Sequence, residues 1–162
     1  MAHHKIALQV GGQGVLVSWH PPSIPPAGSW HGAEGVCVSR AGDIVLISRN
    51  GQHWEFPAGR PEGNESWEQT LRREAREEAC TRVLRAKLLA FSRGECIAGP
   101  EKGLVLVRSI WRAEVSVEPW DPQFEIDFRR IVAPADLTRW LRLGSDPFAP
   151  IIRRAIREAG MG

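Results

Sequence analysis

Apolar and polar positions along the chain alternate with a period near two in several stretches and near four in others. Lys5–Val10 and Val15–His20 are short β-prone runs around a Gly-Gly-Gln-Gly turn, which predicts a hairpin. Pro21–Gly28 carries four prolines and is excluded from any central strand, so it reads as a loop. Gly35–Ser39 and Asp43–Ser48 flank Arg40-Ala41-Gly42 and predict a second hairpin, and Trp54-Glu55-Phe56 is a short extended piece stopped by Pro57. A four-residue recurrence follows at Trp67, Leu71, Ala75 and Ala79. Ser66 and Gln69 sit where a capping box would open this helix. Arg82–Phe91, Leu104–Val117 and Phe124–Val132 read as strands, with Ser92–Gly103 as a Gly-rich loop between the first two. Pro134 and Ala135 open a helix carrying Leu137, Trp140 and Leu141 that Gly144 ends. Asp146 caps a last helix with Pro147 at its first position and Phe148, Ile151, Ile152 and Ala155 as its buried stripe. Strands, one helix, more strands and two final helices predict a mixed sheet covered by helices on both faces.

The central helix carries Glu74, Glu77 and Glu78, at i, i+3 and i+4. Two pairs need no special explanation: Glu68–Arg72 and Arg73–Glu77 are favourable i,i+4 neighbours on a solvated face. Glu78 differs. At ~100° per residue, with Glu74 at zero, Trp67 falls near ~20°, Leu71 near ~60° and Glu78 near ~40°, inside the apolar stripe. A carboxylate placed there, beside a second one, requires a compensating proton or cation. Hard oxygen donors select Mg²⁺, Ca²⁺ or Mn²⁺ over zinc, and Mg²⁺ commonly leaves several positions to water and phosphate oxygens.

Composition narrows the partners. The 162 residues suit one domain, and a formal net charge of +2 is too small for a protein that coats long nucleic acid. No stretch approaches a membrane span, and Met1–Lys5 lacks the apolar core of a secretory signal; His3 and His4 read as part of an unstructured polar start. Cys37, Cys80 and Cys96 are odd in number and lack metal-type spacing, so free thiols in a reducing cytoplasm are expected.

With these residues in view, the segment from Gly59 to Thr81 resembles the Nudix box, the defining motif of the Nudix hydrolases. Gly59, Glu65, Arg73, Glu74, Glu77 and Glu78 stand in its register, with Ala75 in the aliphatic place and Glu62 matching a common Glu in the first gap. Departures are Ala58 for a second glycine, Asn64 before Glu65 with Gly63 one place early, and Cys80 and Thr81 in place of the closing Gly and aliphatic. Asn tolerates left-handed backbone, so the turn is expected to survive, and the Cys80 change is expected to alter only how the helix ends.

The resemblance implies an α/β/α sandwich around a central mixed β-sheet. It implies one Nudix hydrolase domain over residues 1–162, with residues 1–34 as an N-terminal hairpin plus Pro-rich loop. It also implies Mg²⁺-dependent attack of water on a pyrophosphate bond of a nucleoside diphosphate linked to another group, with Mn²⁺ as an alternative ion. Glu74, Glu77 and Glu78 would ligate the metal together with the Gly59 carbonyl, while Glu65 and Arg73 would brace the loop and orient the glutamates. The proton acceptor is open: a box glutamate, or Glu95, Glu101, Glu118 or Glu125, with Glu95 and Glu101 favoured by their place in the Gly-rich loop. Arg49, Arg60 and Lys102 are candidate phosphate contacts, and Trp19, Trp30, Trp54 and Trp111 candidate stacking rings. Trp67 reads as core from its helix angle. The expected partner is a small nucleotide, without membrane or long nucleic acid, and the N-terminal segment is a candidate dimer interface or site cover. Two alternatives stay open: a Nudix-fold module that binds nucleotide without hydrolysis, and removal of pyrophosphate from RNA 5′ ends.

Overall fold

The computed structural model describes residues 5–161, so His3 and His4 lie outside the described residues. Strands β1 (Lys5–Val10), β2 (Gln13–His20), β3 (Ser29–Val38), β4 (Ile44–Ser48) and β5 (Ala58–Gly59) precede helix α1 (Trp67–Ala79). Strands β6 (Thr81–Ala98), β7 (Val105–Val117) and β8 (Phe128–Val132) follow, then α2 (Leu137–Trp140) and α3 (Ala149–Glu158). The strands form one mixed sheet in the order β1-β2-β6-β7-β3-β4-β8, with β5 paired to β3. Among the described residues, β3 pairs with β7 in parallel and the other strand pairs are antiparallel.

Period-two alternation sorts the two faces of this sheet. Along β3, Ala33 and Cys37 join the cluster under α1, whereas Val36 and Val38 join the one under α2 and α3. Along β7, Trp111, Ala113 and Val115 face α1 and Ile110 faces the other helices. Glu34 and Arg108 share the parity of Val36 and Ile110, which places both charges on the α2/α3 side. The expected mixed sheet with helices on both faces is the observed architecture.

Helix α1 forms for the reasons its sequence suggests. Ser66 Oγ accepts from the Gln69 N–H (3.1 Å), and Gln69 Oε1 accepts from the Ser66 N–H (2.8 Å). Leu71, Ala75 and Ala79 are at most 1 % exposed, and burying the Leu71 side chain alone contributes roughly 1.5–3 kcal/mol. Trp67 is half-buried against this cluster. The helix stops at Cys80, which takes the left-handed conformation (φ 49°, ψ 50°) usual for glycine. Arg129 donates from Nη1 to the Ala79, Cys80 and Glu118 carbonyls and so ties down the helix end.

Several boundaries differ from the sequence expectation. β3 begins at Ser29 because parallel pairing with β7 starts there. β6 continues through the expected Ser92–Gly103 loop to Ala98, since β2 and β7 pair with it on its two sides, leaving only a tight turn. β8 is confined to Phe128–Val132, where β4 offers partners. α2 is stopped by Arg142 (φ 51°), not by Gly144. α3 starts at Ala149; Asp146 Oδ1 accepts from the Phe148 N–H (2.8 Å) in the turn before it. Ile156 and Ala159, absent from the expected stripe, are buried there. In the box turn Gly63, not Asn64, has positive φ (55°).

Candidate functional site

Two glycines bring the box loop and the box helix into contact. A Cβ on Gly59 would lie 2.1 Å from Glu74 Cδ, and a Cβ on Gly32 would lie 2.6 Å from the Gly59 carbonyl oxygen. β5 is therefore sandwiched between β3 and the glutamate face of α1 with no room for a side chain on either glycine. The neighbouring Ala58 N–H donates to Glu78 Oε1 (2.8 Å).

Arg73 gathers the acidic groups. Its guanidinium donates to both Glu65 oxygens (2.9 and 3.1 Å), to Glu74 Oε1 (2.6 Å), to Glu77 Oε2 (3.1 Å) and to the Arg60 carbonyl (2.7 Å). Glu62 lies 3.4 Å away. Glu65 is fixed further by the Glu62 N–H (2.8 Å) and the Thr70 hydroxyl (3.2 Å). The Arg73 hydrogen bonds, followed by the Glu62 N–H, hold the Glu65 carboxyl down to about 2. The surrounding carboxylates, Glu65 first, raise the Arg73 pKa. Through these contacts Arg73 joins the box loop, at Arg60 and Glu65, to α1.

Glu78 is 7 % exposed, in keeping with its place in the apolar stripe. Burial pushes its carboxyl up to about 8, the Ala58 N–H works against that shift, and the Glu74 and Glu55 charges add to it. Burial also raises Glu74, partly offset by Arg73. Glu74, Glu78 and Gly59 line a cleft of ≈1110 Å³ that runs over the α2/α3 side of the sheet. Glu77 is turned to Arg73 and is not part of that lining. Among the described residues, no three His, Cys, Asp or Glu side chains converge into a ready-made metal cage. The donor chemistry nonetheless fits a hard divalent cation: carboxylate oxygens beside a backbone carbonyl held in a glycine cradle.

The remaining candidates divide by position. Glu101 and Glu125 line the cleft, the latter paired with Arg49 at 3.0 Å, and Arg49 and Arg60 line it too. Glu95 and Glu118 do not; they pair with Arg93 (3.4 Å) and Arg82 (3.8 Å). Glu95 lies on β6, where strand pairing replaces the expected loop, and so loses the place that favoured it. Lys102 sits in the β6–β7 turn, outside the lining. Among the tryptophans, Trp111 is core on the α1 side, donating to Ser109 Oγ (2.8 Å), and Trp19 is buried beneath Arg154. Trp30 is 53 % exposed but stacks on Trp67 (4.1 Å). Trp54 lines the cleft from a buried position.

Sequence reasoning missed the cleft floor. Glu34 and Arg108 pair across β3 and β7 at 3.3 Å, and burial raises the Glu34 carboxyl against the pull of Arg108. His31 is lowered to about 4, by burial first and then by Arg108 and Arg60, so it is neutral near pH 7. The available signal was a charged residue interrupting each of two apolar runs, Gly32–Val38 and Leu104–Trp111.

Comparison with known proteins places this arrangement. The NUDIX domain model matches residues 29–155. The Bacillus subtilis pyrophosphohydrolase BsRppH is similar in structure (TM-score 0.69, 23 % identity, covering 97 % of this chain and 98 % of that one). The NUDIX domain of Shewanella oneidensis NrtR, solved with ADP ribose, is similar at TM-score 0.60 and 17 % identity, covering 85 % and 91 %. A MutT NUDIX hydrolase from Burkholderia pseudomallei gives TM-score 0.56 and 24 % identity, covering 80 % and 98 %. No curated protein sequence matches the chain. With the domain model spanning most of its length, the chain belongs to the Nudix family.

Proposed function

We propose that this protein is a divalent-cation-dependent hydrolase that cleaves a pyrophosphate bond in a nucleoside diphosphate linked to another group. The observation that carries the reading is the buried Glu78 carboxylate, fixed by the Ala58 N–H and lining the cleft with Glu74. Glu74 and Glu78, with the Gly59 carbonyl, would hold Mg²⁺ or Mn²⁺, and Glu77, outside the cleft lining as it stands, would join them by turning from Arg73. When bound, the ion neutralises phosphate oxygens and lowers the pKa of a water.

The chain's own residues do the rest. Arg73 positions Glu74 and Glu77 and locks the box loop through Glu65 and the Arg60 carbonyl. Arg60 is among the residues lining the cleft and has no acidic partner among the described residues, which suits a phosphate contact. His31, neutral near pH 7, offers one ring donor and one acceptor beside it. The proton acceptor is drawn from carboxylates that line the cleft, which retains Glu101 and Glu125, adds Glu34 and Glu55, and removes Glu95 and Glu118.

The deciding experiment incubates the protein with Mg²⁺ or Mn²⁺ and a panel of nucleoside diphosphate derivatives, nucleoside triphosphates and a 5′-triphosphate RNA, reading released phosphate products. Glu77→Gln and Glu78→Gln are expected to abolish turnover while the circular dichroism spectrum is retained. Full activity in both variants would sink the assignment. One observation favours a second reading, a nucleotide-binding module: Arg73 already engages Glu74 and Glu77. Binding without product across the panel would select it.

A further inference from the structure

Arg142 is one of two non-glycine residues with positive φ among those described (51°). It ends α2 in the position a glycine normally takes. Its N–H donates to the Arg139 carbonyl (3.2 Å) and the next N–H, of Leu143, to the Thr138 carbonyl (3.4 Å), the hydrogen-bond pair of a glycine-type helix stop. An L side chain there costs roughly 1–2 kcal/mol. Gly144 stands only two residues later, unused for the turn. The other such residue, Cys80, lies outside the cleft, whereas Arg142 is among its lining, and strain of this kind collects at ligand sites.

Arg142 is among the residues lining the same cleft as Glu74 and Glu78, and no carboxylate among the described residues lies within ion-pair distance of it. Arg49 and Arg108, by contrast, are paired with Glu125 and Glu34. Arg60 belongs to the box loop, next to where the cleaved bridge would sit. Arg142 comes from the segment between α2 and α3, whose Asp146 is felt electrostatically at Glu34 on the cleft floor. Among the described residues, Arg60 and Arg142 are the cleft-lining arginines without an acidic partner, and they come from separate parts of the chain.

We infer that Arg142 is a specificity-determining residue that binds a further phosphate of the substrate, beyond the two that form the cleaved bridge, so that the site favours substrates with three or more phosphates. The inference rests on the pyrophosphohydrolase reading for its bridge position. A guanidinium fork suits a phosphate with two parallel hydrogen bonds, worth about tenfold or more in affinity.

The test uses the full chain and its Arg142→Gly and Arg142→Lys variants with Mg²⁺. Binding is measured calorimetrically at low temperature for a nucleoside triphosphate, a dinucleoside tetraphosphate and ADP-ribose, alongside thermal unfolding. Arg142→Gly is expected to raise Tm by about 1–4 °C. It should weaken the tri- and tetraphosphate tenfold or more and leave ADP-ribose within twofold. Arg142→Lys should recover part of the loss, since it keeps the charge without the fork. Equal effects on all three ligands, no effect on any, a fall in Tm, or no binding of either polyphosphate by the wild-type protein would each overturn the inference. Wild-type binding without turnover would reject hydrolysis alone and leave the ligand comparison to decide Arg142.

Discussion

Replacing Glu78 by Gln should destroy function and stabilise the metal-free fold, and pH separates the two effects. The folded protein raises this carboxyl from 4.5 to about 8, so the native state holds the proton more tightly than the unfolded chain. The sign follows from linkage: the contribution of Glu78 to stability is fully present below about pH 4.5 and is lost as pH rises through about 8. Every pH step of one between those two values removes about 1.4 kcal/mol, which bounds the loss at about 4–5 kcal/mol by pH 8 and makes it about 2 kcal/mol at pH 6. Gln is neutral at every pH and keeps an oxygen to accept from Ala58 N–H, so the variant escapes the loss. Urea unfolding in chelator, of wild type and variant at pH 5, 6, 7 and 8, measures the difference directly. Titrating groups remote from Glu78 cancel in that difference, whereas Glu74 and Glu55, whose charges act on it, stay within it. The curves should nearly meet at pH 5 and diverge toward pH 8 with Glu78→Gln the more stable, and added Mg²⁺ should close the gap by stabilising only the wild type. Parallel curves, or a variant less stable at pH 8, would refute the claim that an uncompensated buried carboxylate sits here.

Two further substitutions probe the loop and the helix end. Gly59→Ala should force Glu74 aside, because the new methyl would lie 2.1 Å from its Cδ; turnover should fall at least tenfold with a stability cost of about 1–3 kcal/mol, read by steady-state kinetics and urea unfolding. Cys80→Gly should stabilise by about 0.5–1 kcal/mol, the left-handed penalty relieved less the extra chain entropy of glycine, seen as a higher urea midpoint with unchanged kinetics.

The start and buried face of the box helix were legible because their determinants are local. Its cap, its apolar recurrence and the anomalous position of Glu78 all depend on spacing along one short segment, and the folded chain agrees on each. What escaped detection depends on pairing. β6 crosses a Gly-rich stretch that looks like a loop because β2 and β7 hold it on both sides, and that contact is invisible in the chain itself. The same applies to Glu34 and Arg108, which become a pair only when β3 and β7 lie parallel in this register. Arg142 shows the third kind of miss: propensity assigned the stop to Gly144, whereas hydrogen bonds to Thr138 and Arg139 placed it at an arginine.

The N-terminal hairpin lies ahead of the segment that the domain model matches, yet it is hydrogen-bonded to β6 from Phe91 to Ala98. Without it, that half of β6 would present a row of open backbone donors and acceptors next to Trp19's place over the core, an invitation to intermolecular strand pairing. With it, the outer edge there becomes β1, only six residues long, with its side chains alternating between exposed and half-buried and Lys5 at one end. The hairpin thus works as a protective selvedge: it moves the open border of the sheet from a strand that carries the core to one that carries little.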